Sequence, residues 1–453
     1  MPDNSPESMA RAVIERCADC DVCRYLMEDT PCRVFSEIYR LYDKESGDGG
    51  KVTANELRSM VDLCNFCALC PCPDIRAGLM KAKHAFVGRD GLKPTIRLLE
   101  DVGRLARVCG AYPRLANSLM RHERTGNLLK KLAGIHPARK LPEFPKEDFP
   151  SWARRQGLYD RHESAGRKVA YFAGCTAQYL FPDVPKAVVE IFRRNEIEVF
   201  LPEQKCCGMP SLLEGDLDLT LEFAAFNLDR LCEAVDSGYD IVCSCPTCGY
   251  MLKHIVSEGA FYSREDLAAR QPGGAYSASN MHDLYRFMGM KHEDEGCFAS
   301  LDALKRIKVA DHTFDLGEYL RSLLHAGQFN NDLGPVPARM AYYPPCHLRE
   351  QKIGEPYADL LCLVPGASVE RIDGAFHCCG IAGIMGFKQE FYRTSVGMGS
   401  RLMGKIEEIH PERLVTDCLS CRIQFNQLTP YRVFHPVEIL WEAYSNWRSA
   451  GDT

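Results

Sequence analysis

Cysteine is the residue type in this sequence with the greatest capacity for chemistry. The 453-residue chain contains 23 cysteines, and most of them fall in short clusters. So many thiols can form a framework of disulfide bonds, but such frameworks belong to small secreted proteins. The first residues, MPDNSPESMA, show neither the basic nor the apolar region of a secretory signal, which predicts a cytoplasmic protein. In a long chain of that kind, clustered thiols indicate metal ligands.

Two cysteine triads near the N-terminus have the ligand spacing of bacterial ferredoxins. Two residues separate successive cysteines, so one tight turn of backbone can present three thiolates to three irons of a cubane [4Fe–4S] cluster. A fourth cysteine, usually followed by proline, serves the other cluster in two-cluster ferredoxins. Cys72 precedes Pro73, so we expect Cys72 to complete the first cluster and Cys32 the second, although neither has the usual spacing. The expected ligand sets are Cys17, Cys20, Cys23 and Cys72 for the first cluster, and Cys64, Cys67, Cys70 and Cys32 for the second.

A second cysteine pattern occurs twice in the rest of the chain. Each copy contains a single cysteine, then Cys-Cys-Gly, then Cys-x2-Cys, and corresponding cysteines lie 171 to 173 positions apart. One zinc ion or one cubane cluster takes four ligands, whereas each copy offers five thiols. A larger cluster with iron atoms at several corners could use all five, and structural zinc remains an alternative. The two sets are Cys175, Cys206, Cys207, Cys245 and Cys248, and Cys346, Cys378, Cys379, Cys418 and Cys421.

The repeated pattern resembles that of the CCG family of cysteine-rich domains. This family includes the catalytic subunits of heterodisulfide reductases, the C subunit of anaerobic glycerol-3-phosphate dehydrogenase, and iron–sulfur subunits of glycolate and lactate oxidases. The resemblance covers nearly the whole chain, because some members join an N-terminal helical ferredoxin to two CCG domains. It implies that each complete five-cysteine set binds a non-cubane [4Fe–4S] cluster, in addition to the two cubane clusters of the N-terminal region.

Alternating strands and helices are expected to position the repeated cysteines. A strand-like run precedes the single cysteine of each copy (VAYFAGC and RMAYYPPC), and further runs lead into the Cys-Cys-Gly and the Cys-x2-Cys. Helical stretches separate these runs, which is typical of a parallel sheet with helices on its faces. Ligands collect at the carboxyl ends of such strands, where all three cysteine groups of each copy lie. The N-terminal cysteines are expected in an all-α region, where Thr53 and Glu56 form a capping box at the start of a helix.

These patterns predict a multidomain protein, all-α at its N-terminus and followed by two repeated α/β domains. The expected domains are a helical ferredoxin-type domain at 1–95, a basic helical connector with a proline-rich linker at 96–165, a first CCG domain at 166–335 and a second at 336–453. The segment 93–140 carries eleven lysine and arginine residues against three acidic ones. It is either a solvated connector or a docking surface for an acidic partner or an anionic membrane.

Composition and absent motifs narrow the function. A net charge of −6 argues against nucleic-acid binding, and no apolar run approaches the roughly 18 residues of a membrane-spanning helix. No Gly-x-Gly-x-x-Gly follows a strand, so no nicotinamide or flavin nucleotide fingerprint is visible and a partner must supply electrons. The resemblance to the CCG family implies an anaerobic oxidoreductase, and we expect this chain to be an iron–sulfur subunit of such a complex. It would relay electrons between a flavoprotein dehydrogenase or a ferredoxin and a quinone or other redox partner, in the cytoplasm or at the inner face of the membrane.

Two other functions remain open at this stage. The resemblance also allows a catalytic disulfide reductase, in which a CCG cluster binds each half of a cleaved disulfide. His347 and His377 flank cysteines of the second set and could donate protons to a substrate or hydrogen bonds to cluster sulfurs, although ordinary packed histidines are the alternative. A zinc-stabilised scaffold without redox function is the third interpretation.

Overall fold

The computed structural model describes residues 5–447 of the chain, apart from 21, 28–29, 48, 68, 71, 162–165, 261–295 and 374–376. The described chain opens with helices that carry the N-terminal cysteines in the turns between them. Their bounds are α1 (Pro6–Ala18), α2 (Val22–Leu26), α3 (Arg33–Ser46), α4 (Ala54–Asp62) and α5 (Pro73–Asp90). The expectation of a helical N-terminal region is confirmed.

Helix α4 begins with the capping box expected from the sequence. The Thr53 hydroxyl accepts a hydrogen bond from the Glu56 amide (3.3 Å), and the Glu56 carboxylate accepts one from the Thr53 amide (2.9 Å). Leu57, Met60 and Val61 follow on the side of the helix that is buried, each at most 1% exposed. Local sequence therefore predicted both the start of this helix and the face on which it packs.

Four short helices make up most of the basic segment. They are α6 (Pro94–Glu100), α7 (Val102–Gly110), α8 (Pro113–Arg121) and α9 (Glu123–Leu132). The helical spacing of apolar residues at 98–106 continues across a break at Asp101, which leaves the helical conformation (φ −98°, ψ 75°) and caps α7 by accepting from the Arg104 amide at 2.9 Å. Among the described residues, no helix is both long enough and apolar enough to cross a membrane.

The end of the basic segment is buried against the C-terminal half of the protein. Arg139 is fully buried, and its guanidinium donates to the Gln424 side-chain oxygen (2.5 Å) and to the Gly386 carbonyl (2.5 Å). His136 stacks on Tyr392 with ring centroids 4.0 Å apart. The connector is therefore fastened at this end. The proline-rich stretch that follows leads into α10 (Phe149–Arg155).

The first repeat forms a four-stranded parallel sheet with strand order β2-β1-β3-β4. Its strands are β1 (Lys168–Phe172), β2 (Glu198–Phe200), β3 (Asp240–Cys243) and β4 (Thr313–Asp315). Helices α11 (Cys175–Leu180), α12 (Asp183–Arg194), α13 (Met209–Glu214), α14 (Leu217–Asp236), α15 (Pro246–Tyr250), α16 (Ala303–Asp311) and α17 (Leu316–His325) connect or follow the strands, with a π-helical turn at Met251–Ile255.

The second repeat forms a sheet of the same topology, with order β6-β5-β7-β8. Its strands are β5 (Ala338–Tyr342), β6 (Ala367–Arg371), β7 (Arg413–Val415) and β8 (Arg432–Phe434). The helices are α18 (Cys346–Glu350), α19 (Pro356–Leu361), α20 (Tyr392–Ile409), α21 (Leu419–Leu428) and α22 (Pro436–Asn446), with a 3-10 turn at Met385–Phe387. Two parallel α/β regions therefore match the two cysteine repeats, as expected.

The fourth strand of each sheet was not expected from the sequence. Thr313 of β4 lies 65 positions after Cys248, whereas Arg432 of β8 lies only 11 positions after Cys421. The first repeat has many more residues between its last cysteine and its fourth strand than the second repeat has. The spacing that relates the cysteines of the two copies therefore does not relate these two strands. A shared local signal does exist, since each strand leads into a capping box, formed by Asp315 with Glu318 in one copy and by the corresponding residues 435 and 438 in the other.

The two sheets share one apolar core. Val169 and Tyr171 of β1 and Met340 and Tyr342 of β5 all belong to this core, whereas the alternate residues of each strand face a separate cluster on the other side of their sheet. The period of two is that of strands buried on both faces. The two repeats are thus packed on each other, and the domain borders expected near residues 95, 165 and 335 stay predictions.

Candidate functional site

The first five-cysteine set lies at the carboxyl ends of three strands. Cys175 opens α11 just after β1, Cys206 and Cys207 follow β2, and Cys245 and Cys248 lie at the start of α15 after β3. The sulfurs of Cys175 and Cys206 are 3.5 Å apart although 31 positions separate them in sequence. None of the 23 cysteines is paired in a disulfide bond.

Two polar side chains hold the backbone around the first set. Gln204 accepts from the Gly174 amide (3.1 Å) and donates to the Tyr171 carbonyl (3.1 Å), which fixes the loop before Cys175. Asn227 is 1% exposed and accepts from the Lys205 amide (2.9 Å) while it donates to the Cys206 carbonyl (2.9 Å). Sequence reasoning missed both residues, because neither lies in a cysteine motif.

The second set occupies the same positions in the second sheet. Cys346 opens α18, and Cys418 and Cys421 lie at the start of α21. Backbone amides donate to the sulfurs: Gly380 to Cys378 (3.3 Å) and Cys421 to Cys418 (3.5 Å). Gly380 has φ +86°, and a Cβ there would lie 2.1 Å from the Ser395 carbonyl oxygen, so the glycine of this Cys-Cys-Gly is required by close packing on α20.

Both sets face one cavity of about 150 Å³. Apolar side chains such as Leu213 and Phe387 line most of the remaining wall. Cys67 of the N-terminal region and His347 also line it. Residues from the N-terminal region, the basic segment and both repeats thus meet in a largely apolar space.

The N-terminal cysteines gather into two groups. Cys32, Cys64, Cys67 and Cys70 line one pocket between α3 and α5. Cys72 lies close enough to Cys17 and Cys23 to raise the pKa of both thiols, after the larger effect of burial. Each fourth cysteine is therefore placed with the triad for which it was expected, while its role as a ligand stays a prediction. Cys20 and Cys72 are exposed, whereas Cys17, Cys23 and Cys64 are buried.

The electrostatics of these sites suit a positively charged metal core. Burial raises the pKa of Cys17, Cys70 and Cys346 to about 12, so these thiols need nearby positive charge to become thiolates. Sets of sulfur donors are the ligands that iron–sulfur clusters and zinc prefer. Among the described residues, no three His, Cys, Asp or Glu side chains converge closely enough to hold a single metal ion. The ligands of a cluster bind different irons and need not converge on one point.

The two histidines differ in their surroundings. His347 is buried; its Nδ1 lies 2.9 Å from the Thr247 hydroxyl and its Nε2 lies 3.2 Å from the Phe66 carbonyl oxygen. Burial lowers the pKa of His347 to about 4, so this neutral ring bridges both repeats and the N-terminal region. His377 is half-buried, its carbonyl accepts from the Tyr343 hydroxyl (3.1 Å), and it is not among the residues that line the cavity. The proton-donor role of either histidine stays a prediction.

Comparison with known protein families shows that one family of domains matches this chain. The family of cysteine-rich domains called CCG matches it twice, at residues 169–253 and 340–426. Each match begins within the first strand of a sheet and contains the complete five-cysteine set of that sheet.

This chain contains two CCG domains.

Several known proteins are similar to this CCG-domain protein. The C subunit of the anaerobic glycerol-3-phosphate dehydrogenase of Escherichia coli (strain K12) is 25% identical over 78% of both chains. The B subunit of the fumarate reductase (CoM/CoB) of Methanothermobacter marburgensis is 24% identical over 63% of this chain and 48% of its own length. An uncharacterized iron–sulfur protein of Methanococcus maripaludis is 23% identical over 60% of this chain and 44% of its own length. The chain thus spans about half the length of the latter two relatives.

One buried charged residue near the cysteines could not be recognised from the sequence. Lys83 of α5 is 3% exposed, and its ammonium donates to the carbonyls of Cys64 (3.2 Å) and Leu213 (2.8 Å). The contact joins the second N-terminal cysteine group to the first repeat across 130 positions of sequence. A lysine in a helix is usually solvated, so only the folded chain could identify this one.

Proposed function

We propose that this CCG-domain protein is an iron–sulfur electron-transfer subunit of an anaerobic oxidoreductase complex. It would relay electrons between a flavoprotein dehydrogenase or a ferredoxin and a quinone or other redox partner. The chain is similar to one subunit of a dehydrogenase and to a protein described as an iron–sulfur protein. Both similarities support an iron–sulfur subunit of an oxidoreductase. Two complete five-cysteine sets and two ferredoxin-type groups support the cofactor.

One observation carries the relay in particular: Cys67 lines the same cavity as both five-cysteine sets. The second N-terminal group is therefore next to the CCG sets, while the first group, with exposed Cys20 and Cys72, lies nearer to solvent. This order provides a path from the surface to the buried centre. Electrons would enter or leave at the exposed end.

The residues present fit four clusters, which would supply one-electron acceptance and donation at potentials set by their surroundings. Cys17, Cys20, Cys23 and Cys72 would hold one cubane cluster and Cys32, Cys64, Cys67 and Cys70 the other, with one non-cubane cluster on each five-cysteine set. The amides of Gly380 and Cys421 would donate to ligand sulfurs and thereby favour the more negative, reduced state. The apolar cavity walls would keep bulk water away from the CCG sets.

Metal analysis tests this proposal directly. Anaerobically purified protein should contain about sixteen irons per chain, from four clusters of four irons, with matching acid-labile sulfide and little zinc. About eight irons would leave only the ferredoxin-type part of the proposal. Stoichiometric zinc without iron would contradict the proposal and support the scaffold interpretation.

Catalytic disulfide reduction is the second candidate, because both five-cysteine sets face one cavity. Two clusters opposite each other could each bind one half of a cleaved disulfide. To separate the candidates, the reduced protein is mixed anaerobically with a quinone analogue or with a mixed disulfide of two thiols. Oxidation by the disulfide alone, with release of both thiols, would contradict the relay.

We also propose that the basic segment contacts the rest of the complex or the membrane. Large apolar side chains are exposed along α7, α8 and α9, including Val108 (69%), Leu115 (60%) and Leu128 (58%). No residue of α8 is buried. Arginine and lysine residues lie between these apolar side chains, which is typical of helices that lie on an anionic membrane surface.

A further inference from the structure

Lys83 has an ammonium group whose charge is not balanced by a carboxylate. The side chain is 3% exposed, and two backbone carbonyls accept from its nitrogen, those of Cys64 and Leu213. Within the described part of the chain, no carboxylate lies within ion-pair distance of this nitrogen. Burial of an unpaired ammonium is costly, so a compensating negative charge is expected nearby.

The nearest carboxylates already have partners. Burial lowers the pKa of Lys83, and Asp62 and Glu214 are the carboxylates that oppose this shift. Asp62 pairs with Arg58 at 3.2 Å, and Glu214 forms a buried ion pair with Lys388. Neither carboxylate is therefore available to neutralise Lys83 alone.

The position of the ammonium is also well defined. Its stem packs against Gly215, where a Cβ would lie 3.1 Å from the Lys83 Cγ. Gly215 has φ +86°, a conformation that favours glycine. The first repeat thus closes directly on the lysine and holds it beside Cys64. By contrast, Arg76 of the same helix is paired with Glu350 at 2.7 Å.

We propose that Lys83 is the counter-charge of the cluster held by Cys32, Cys64, Cys67 and Cys70, and that it raises the reduction potential of this cluster. The proposal rests on the proposed function, since it requires a cluster at that site. Four thiolates give such a cluster net negative charge, and reduction adds one more. A fixed ammonium close by stabilises the reduced state more than the oxidised state. Lys83 would act on the cluster through its charge alone, because its ammonium contacts the backbone carbonyl of Cys64 rather than a cysteine sulfur.

The test is a redox titration followed by electron paramagnetic resonance, on anaerobically purified wild-type protein and on K83M, K83R and Lys81→Met variants. In K83M, one of the cubane signals should become harder to reduce. At a fixed potential its ratio of reduced to oxidised form should fall roughly tenfold, which corresponds to about 59 mV for one electron. K83R retains a positive charge and should stay near the wild type.

Lys81→Met is the matched control, because Lys81 is exposed on the same helix two residues away. It should leave every potential unchanged. Iron content is measured on each variant. Loss of about four irons from K83M but not from K83R would also support the need for charge at this position.

Three results would overturn the inference. One is K83M with full iron content and unchanged potentials. Another is loss of the cluster from both K83M and K83R, which would indicate that the lysine is needed only for packing. Wild-type protein without iron in its N-terminal region would overturn the proposed function as well, and metal analysis separates that failure from the other two.

Discussion

At the scale of residues, the close approach of the cysteines in each set depends on neighbouring glycines. Gly174 precedes Cys175 with φ +76°, and a Cβ at this position would lie 2.8 Å from the Cys248 sulfur. The glycine thus lets the backbone approach a sulfur on a different strand. The spacing of the cysteines identified the candidate ligands, but only the folded chain shows which glycine brings them together.

We therefore expect G174A to impair the first five-cysteine set. The new methyl group would displace Cys248, and the positive φ would strain the alanine, so iron per chain should fall by about four. Metal analysis and sulfide assay measure the change. Gly404→Ala is the control, because a Cβ there meets nothing within 4 Å and α20 should gain roughly 0.5–1 kcal/mol of stability. Full iron content in G174A would contradict this account.

At the scale of elements, buried charged groups fasten helices from different parts of the chain. Glu214 at the end of α13 pairs with Lys388 of the second repeat, and the two side chains are only 7% and 8% exposed. Glu100 at the end of α6 is fully buried, and neither of its carboxylate oxygens has a hydrogen-bond partner among the described residues. The ion pair joins residues 174 positions apart, so no local pattern predicts it.

Removal of one partner of the buried ion pair should be more harmful than removal of both. E214A would leave the Lys388 ammonium buried without its carboxylate, at a cost of about 3–5 kcal/mol of unfolding free energy. The double variant E214L/K388M replaces the pair with apolar side chains and should recover most of this loss. Urea denaturation of the three proteins measures the difference. Equal stability of the single and double variants would show that the pair is not coupled.

The stability of the folded protein should depend on pH through Glu100 at the end of α6. Burial, followed by the nearby Asp216, raises the pKa of Glu100 from 4.5 to about 8, while Glu214 raises it further and Arg97 opposes the shift. Since the folded chain holds this proton more tightly than the unfolded chain, the contribution of Glu100 is full below pH 4.5 and is lost as the pH rises through about 8.

E100Q carries no charge at any pH and should therefore become more stable relative to the wild type as the pH rises. Melting temperatures of both proteins at pH 6, 7, 8 and 9 measure this gap. A gap that does not change with pH would contradict burial of an ionisable group at position 100.

At the scale of the whole molecule, both five-cysteine sets and Cys67 of the second N-terminal group face one cavity. The basic segment reaches this cavity through Val102 and is fastened through Arg139 at its other end, while α7 to α9 present apolar and basic side chains to solvent. Leu115 and Leu128, which are exposed on the surface proposed for docking, are not among the residues that line the cavity. A change on that surface should therefore affect association without removing any cluster.

Vesicle flotation tests this expectation. The wild type should float with vesicles that contain anionic lipid and not with neutral vesicles, because cationic side chains lie between the exposed apolar ones. L115D and L128D should reduce binding severalfold and leave iron content unchanged. L304D, at an exposed leucine on α16, is the control. Absence of binding by the wild type would instead favour an acidic protein partner for this surface.

The amino-acid sequence alone was enough to identify which cysteines are the candidate ligands, three of the four strands of each sheet, and that two copies of one α/β unit follow a helical region. These features depend on short-range spacing and periodicity, which a single chain displays directly. The folded chain was needed to show that both five-cysteine sets share a cavity with Cys67, and that Lys83, Glu100 and Arg139 are buried. Such contacts join residues distant in sequence, and burial of a charged side chain is determined by what packs around it. For that reason neither the spacing nor the identity of those three residues could predict their roles.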